Sequence, residues 1–276
     1  MEPKSQITHI IQNKGYITID EFMELAISSS PLSYYNINNP FNPVTGGDFI
    51  TSPQISQMFG EMIAIWIYNQ FIHMNISDEI FLVEFGPGTG VLMRDILRVL
   101  EKTQILPQIK ILMLEKSPTL TKIQQDNLNK YENITWSQDY KEIPENRCIF
   151  ISNEFLDIFP IKQYIKLDSL WHEIVVIIGK TGDLEFGYKD IPHSKNLDLE
   201  TRYTKAKDNA IVEESPKLSE FIELIAENIK EYNSIMLALD YGYDVDSAVR
   251  SMEMFNPTLQ AIKNHNYSDL LKDIGS

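Results

Sequence analysis

The hydrophobic positions change rhythm twice along this chain, and the changes divide it. Residues 7–30 carry apolar side chains at helical spacing, with Phe22, Met23, Leu25 and Ala26 in the second half. They predict two short helices, the first ended by Gly15 and the second capped by Asp20. A turn-rich stretch follows from Ser30 through Pro43 to the Gly46-Gly-Asp-Phe49 turn; irregular segments of that length in compact domains are usually lids or binding loops. Ser52-Pro53 then opens a helix, with serine as its cap and proline in its first position. Ile55, Met58, Phe59, Met62, Ile63 and Trp66 draw an apolar stripe along this helix that reads as core.

From residue 80 short apolar runs alternate with helical patterns. Strands are predicted at 80–84, 108–114, 133–136 and 148–152, with helices at 91–102 and 118–130. This alternation implies parallel pairing through right-handed crossovers. After Pro160 three strand-like pieces (161–167, 171–178 and 183–188) and a turn at Gly179–Gly182 predict an antiparallel insertion. A helix at 218–232 and a fifth strand at 234–240 resume the first rhythm, and no convincing strand follows Tyr243. The expected fold is α/β: a doubly wound, mostly parallel Rossmann-like sheet with an N-terminal helical region and an antiparallel β insertion after the fourth strand. The expected divisions are a helical and lid region at 1–75, a ligand-binding core at 76–160 and 211–250, an insertion at 161–210 and a closing segment at 251–276.

The strongest chemical signal is Glu84-Phe-Gly-Pro-Gly-Thr-Gly90, a buried strand running through a glycine loop into a helix. Such a loop brings backbone amides and a helix N-terminus against a ligand, and glycine permits close approach and φ > 0. The dinucleotide fingerprint G-x-G-x-x-G would need glycine where Val91 stands. Gly86, Gly88 and Gly90 are instead preceded by Glu84, a carboxylate that suits a cationic head group and opposes a pyrophosphate. S-adenosylmethionine, with an ammonium and a sulfonium, fits that demand better than a nicotinamide dinucleotide.

Glu115, at the end of the second strand, sits where an acidic side chain would accept hydrogen bonds from a ribose, unless it caps the next helix. Around the third strand Trp136, Ser137, Gln138 and Asp139 could flank an adenine, or Trp136 could be plain core. The fourth strand ends in Asn153, Glu154 and, three residues on, Asp157, beyond the carboxyl end of the sheet where ligands sit. Glu154 and Asp157 could grip a planar guanidinium, so that catalysis there would be positioning and electrostatics; alternatively Asp157 caps a helix. Asp240-Tyr-Gly-Tyr243 places either an aspartate in the same cleft or a turn with a buried tyrosine.

Composition narrows the partners. A formal net charge of -15 repels phosphate backbones, disfavouring nucleic acid, and suits a basic protein segment. Cys148 is the one cysteine and lies in an apolar run, so it reads as a packing residue in a reducing compartment. The five histidines are scattered, no metal site is expected, and neither a phosphate-loop lysine motif nor a nucleophile elbow occurs. The N-terminal residues hold neither an apolar signal core nor an Arg-rich presequence, and the apolar stretch 63–74 is too short to span a bilayer. The expectation is a cytoplasmic protein without a membrane span.

Several stretches together resemble one family of class I methyltransferases, which includes the mitochondrial complex I assembly arginine methyltransferase and its bacterial MidA relatives. They are residues 47–61 (Gly47-Asp-Phe-Ile-Thr51 leading into Ser-Pro-Gln-Ile), 82–90, Glu115-Lys-Ser-Pro118, Asn153-Glu-Phe-Leu-Asp157, Trp171-His-Glu173, Asp240-Tyr-Gly-Tyr243 and His265-Asn-Tyr267. Gln54 stands where the family usually has glutamate. The resemblance implies S-adenosyl-L-methionine as cofactor, held by Glu84, Gly86, Gly88, Gly90, Glu115, Ser117, Asp139 and Asn153, with Gly47, Asp48 and Thr51 closing over it. It implies Glu154 and Asp157 as catalytic residues and arginine dimethylation of a respiratory complex I subunit as the reaction. Family members continue past the point matching Gly275, so the chain is expected to be truncated. Two alternatives stay open: a cofactor-binding assembly factor or remnant without activity, and a nicotinamide oxidoreductase, which Glu84 and Val91 disfavour.

Overall fold

The structure is a computed structural model that describes residues 3–27, 51–242, 255–263, 266–272 and 274. Two compact units emerge: the described parts of 35–158 with 219–241, and the described parts of 1–34, 159–218 and 242–276.

The first unit is built on a five-stranded parallel sheet. β2 (Ile80–Phe85), β3 (Ile109–Leu114), β4 (Ile134–Ser137), β5 (Cys148–Asn153) and β10 (Ile235–Leu239) lie in the order β10-β5-β2-β3-β4. Strands buried on both faces must be apolar almost throughout, and Ile-Phe-Leu-Val-Glu-Phe and Cys-Ile-Phe-Ile-Ser-Asn meet that demand. Cys148 is fully buried, which pushes its thiol up to about 12 and leaves it inert at neutral pH, as a packing residue. Among the helices of this unit, α3 (Ser52–Ile55), α4 (Gln57–His73), α5 (Val91–Leu100) and α6 (Pro118–Asn127) precede β5, while α8 (Pro216–Tyr232) leads into β10. From β2 the chain builds outward through β3 to β4, then returns to place β5 on the other side of β2. The carboxyl ends of β2 and β5 therefore flank the reversal, the point where open α/β sheets form a crevice.

The second unit carries an antiparallel sheet of β1 (Ile17–Thr18), β6 (Lys162–Leu167), β7 (Leu170–Ile178), β8 (Leu184–Asp190) and β9 (Ile211–Glu214), with β7 paired to β1, β6 and β8. Helices α1 (Pro3–Lys14) and α2 (Ile19–Ile27) pack Ile7, Ile11, Phe22 and Met23 against Ile174 and Val176. Buried Glu173 pairs with Lys162 at 3.1 Å and Lys189 at 2.6 Å, the compensation that a carboxylate away from water requires. The three strands expected after Pro160 are present, while β1, β9 and helix α7 (His193–Arg202) are additions that periodicity does not reveal. So is the hairpin of β11 (Ala261–Lys263) and β12 (Asn266–Ser268), in a stretch expected to hold no strand.

Three local readings are corrected. Asp20 does not cap α2; it lies in the first turn and pairs with Lys162 at 3.1 Å, while Glu21 accepts the Thr18 amide at 2.9 Å. The helix expected from Ser52 breaks at Ser56, whose hydroxyl accepts the Met58 amide and starts α4 afresh. The stripe expected to be core divides: Ile63 is buried and Phe59 and Trp66 pack against the core, while Ile55, Met58 and Met62 are exposed by 73%, 66% and 59%. The buried face of α4 carries Gly60, Ala64, Ile67 and Phe71 beside Ile63. The segment read as a lid, from Ser30 to Phe49, lies outside the described residues.

Candidate functional site

Beyond Phe85 the chain leaves the sheet through Gly86, Gly88 and Gly90, all left-handed with φ of 59°, 57° and 76°. Glycine alone adopts this without strain. At Gly86 space adds a second demand, because a Cβ would stand 2.6 Å from Phe155 Cδ2. The Gly86 amide donates to the Leu114 carbonyl (3.1 Å) and the Gly90 amide to the Pro87 carbonyl (2.9 Å). From α6, Gln124 Nε2 donates to the Gly88 carbonyl and Asn127 Nδ2 to the Thr89 carbonyl, each at 2.8 Å. Phe85, Tyr140, Phe155 and Phe221 pack beside the loop with ring centroids 4.9–6.3 Å apart.

The loop borders a cleft that opens to solvent. One wall is Thr51, Pro53 and Gln54; Gly86 to Thr89 with Val91 and Leu92 form another; Glu84, Asn153, Glu154 and Asp157 complete it. The structure thus brings together most of the expected site. Thr51 caps α3 at the rim, and Gly90 caps α5 behind the loop. Glu115 and Ser117 do not line the cleft: Glu115 is linked to the loop through Gln124, which also bonds the Gly88 carbonyl, and Ser117 is buried with its hydroxyl accepting the Leu120 amide. Asp139 is exposed and accepts the Lys141 amide at 2.9 Å. Gly47, Asp48, Tyr243 and His265 lie outside the described residues.

The electrostatics are one-sided. Glu84 is 3% exposed, and one of its carboxyl oxygens has no hydrogen-bond partner. Burial, followed by the charge of Glu115, pushes it up to about 8. Glu115 accepts the Ser117 amide (2.8 Å) and Gln124 Nε2 (3.3 Å), yet burial still carries it to about 7. Asp157 is exposed as a residue, but desolvation of its carboxyl, then the charges of Asp240 and Glu154, lift it to about 6. No lysine or arginine appears among the described residues lining the cleft. Such a site lacks a positive charge and can be completed by a cationic ligand.

The turn after β5 is held by a residue whose task the sequence leaves open. Asp240, at the end of β10, points at backbone: its Oδ2 accepts the amides of Phe155 (3.1 Å) and Leu156 (2.7 Å). Tyr241 beside it is 75% exposed, while Tyr243, the other tyrosine of this turn, lies outside the described residues. Glu154 is left-handed at φ 50°, a conformation that costs a non-glycine residue on the order of 1–3 kcal/mol and that its amide bond to the Leu239 carbonyl (2.8 Å) helps to hold. Leu239 and Asp240, both at the end of β10, thus hold the backbone of this turn at three consecutive amides. Gln124 is the other residue that pattern reading passes over. The available signal was polar Gln124 four positions after Leu120, on the buried face of α6. Trp136 meets that glutamine directly, donating its indole N–H to Gln124 Oε1 at 3.0 Å.

A family model described as "Putative S-adenosyl-L-methionine-dependent methyltransferase" matches residues 62–276. The chain belongs to this family. Among curated proteins it is 31% identical over 288 residues to the mitochondrial protein arginine methyltransferase NDUFAF7 homolog of Caenorhabditis elegans, covering 96% of this chain and 66% of that one. It is 30% identical over 300 residues to mitochondrial NDUFAF7 of Danio rerio, covering 99% and 68%. The chain spans about two thirds of the length of the curated relatives it matches. A Burkholderia thailandensis crystal structure bound to S-adenosyl-homocysteine superposes with a TM-score of 0.83 at 19% identity, covering 99% of this chain and 70% of that one. That likeness establishes the doubly wound α/β fold. The relatives are named as mitochondrial, which overturns the cytoplasmic placement. A lone thiol reports only a reducing surrounding, which an organelle interior can share with the cytosol. Among the described residues no helix is long and apolar enough to cross a membrane.

Proposed function

We propose that this chain binds S-adenosylmethionine at the glycine loop and methylates an arginine nitrogen of a basic protein segment held at Glu154 and Asp157. One observation carries the cofactor assignment: the buried Glu84 carboxyl oxygen without a partner, in a cleft whose described lining has no basic residue. An ammonium would satisfy it, whereas a pyrophosphate would add further repulsion to the burial and the Glu115 charge that already raise its pKa. In this reading Glu84 holds the amino-acid end, Glu115 accepts ribose hydroxyls, and the loop amides approach closely where glycine leaves room. Asn153 and Thr51 border the same ligand; Gly47, Asp48, Ser117 and Asp139 belong to the proposed cofactor set by resemblance.

When bound, the cofactor supplies an electrophilic methyl group on a sulfonium. Glu154 and Asp157 hold the acceptor's N–H groups by charge-assisted hydrogen bonds, which favour a planar guanidinium. Asp157, near 6, takes the proton that the nitrogen gives up and passes it to water. The arginine acceptor is supported by the names of the relatives and by the acidity of the cleft.

Calorimetry with S-adenosylhomocysteine tests the cofactor half. An ammonium binds the ionised form of Glu84, which is largely protonated in the empty protein below about 8. Binding at pH 7 is therefore expected to release protons, giving heats that change with the buffer. Affinity should rise from pH 6 to 8 by up to about tenfold per unit. Heat from NAD and none from S-adenosylhomocysteine would refute the assignment. The acceptor half is tested with labelled cofactor and arginine-rich peptides, beginning with the complex I segment implied by the resemblance. Asp157→Asn should lower turnover by roughly 10²–10⁴ while leaving cofactor affinity nearly unchanged. Cofactor binding with no transfer to any protein would instead support a cofactor-binding factor without activity.

A further inference from the structure

Gln124 is fully buried, and its amide makes three hydrogen bonds, two as donor and one as acceptor. Nε2 donates to the Gly88 carbonyl at 2.8 Å and to Glu115 Oε2 at 3.3 Å, while Oε1 accepts the Trp136 indole N–H at 3.0 Å. The amide can point only one way: an indole N–H can only donate and a carbonyl can only accept, so oxygen faces Trp136 and nitrogen faces Gly88. We infer that Gln124 is a positioning residue for the cofactor site, fixing the glycine loop and the Glu115 carboxylate at a set distance from each other through a rotamer locked by Trp136. The inference rests on the cofactor reading proposed above.

The geometry explains why a polar side chain occupies a core position of α6. An apolar residue of the same length would fill the space but leave the Gly88 carbonyl and one Glu115 oxygen without this donor. Glu115 would then turn toward other partners, and the loop would lose its tie to α6 at Gly88, keeping only Asn127 at Thr89. The groups facing Glu115 are Glu84 and Tyr140, whose own titrations feel its charge, and the Ser117 and Lys116 amides that hydrogen-bond to it. None of these replaces the donor that Gln124 provides.

Two variants separate positioning from bulk structure. Gln124→Met keeps the length and loses the hydrogen bonds; it should weaken S-adenosylhomocysteine binding by about 10- to 100-fold. Gln124→Glu keeps the acceptor for Trp136 but, when ionised, turns an oxygen toward two other acceptors. Its affinity relative to the unmodified protein, measured at each pH, should recover as pH falls from 8 to 5 and the new carboxyl regains a donating proton. A purely structural role would move the melting temperature and leave that ratio flat. Unmodified protein that fails to bind S-adenosylhomocysteine overturns the cofactor reading itself. Normal binding by the unmodified protein with unchanged affinity in Gln124→Met, or a flat ratio in Gln124→Glu, overturns the role of Gln124 alone.

Discussion

Replacing Glu84 by glutamine is expected to stabilise the empty protein at alkaline pH and to destroy its affinity for S-adenosylhomocysteine in the same stroke. The carboxyl is buried and raised to about 8, against an ordinary value of 4.5. In the unfolded chain the group gives up its proton near 4.5; in the folded protein it keeps it until about 8. Folding stability is therefore lost as pH climbs through that window, and the loss is complete above it. The unpaired charge costs on the order of a few kcal/mol at pH 9, from one pKa unit being about 1.4 kcal/mol. A glutamine carries no charge to desolvate, although its amide also needs partners, which offsets part of the gain. Glu84→Gln should thus melt roughly 5–10 °C above the parent at pH 9 and nearly level with it at pH 5. Affinity should drop at least about 100-fold, since a buried carboxylate–ammonium contact is replaced by a neutral one. Equal melting curves at pH 9, or retained binding, would remove the central electrostatic argument.

How much of this was readable beforehand depends on the range of the interaction concerned. The parallel half of the fold is legible because strands buried on both faces are written as near-continuous apolar runs, and Ile80–Val83 and Cys148–Ile151 supply them. The outward face of α4 is not. Apolar residues surround that helix on nearly all sides, and a 3.6-residue period cannot choose between the face with Met58 and Met62 and the face with Ile63 and Ile67. Glu84 and the glycines announce themselves, being a charge and left-handed turns where a buried strand should continue. Asp240 does not, because its partners at Phe155 and Leu156 lie about 85 residues earlier, and only the β5–β10 pairing brings them within reach. Gln124 is hidden for the same reason, with the Gly88 carbonyl 36 positions away.

The second large effect expected is at Gly86, where two constraints meet. Alanine there must adopt φ near 59°, a left-handed conformation costing roughly 1–2 kcal/mol. Its Cβ must also displace Phe155, whose ring carbon lies 2.6 Å from that point. The ring has little room to retreat: it is 4% exposed and stacked 5.7 Å from Phe85, with Phe221 and Tyr140 at its edges. Overpacking of this kind costs about 1–3 kcal/mol, so Gly86→Ala should lose about 2–5 kcal/mol in urea unfolding. The backbone amide of Phe155 is tied to Asp240, so a displaced ring strains the turn that carries Glu154 and Asp157. Turnover should therefore fall further than cofactor affinity. Phe155→Leu in the Gly86→Ala background separates the two causes, because a smaller side chain relieves the collision but not the left-handed backbone. A coupling of about 1–3 kcal/mol in the double-mutant cycle is expected, with the backbone cost left over. Strictly additive losses would show that the ring is not what excludes a side chain at position 86, and that the backbone conformation alone requires glycine.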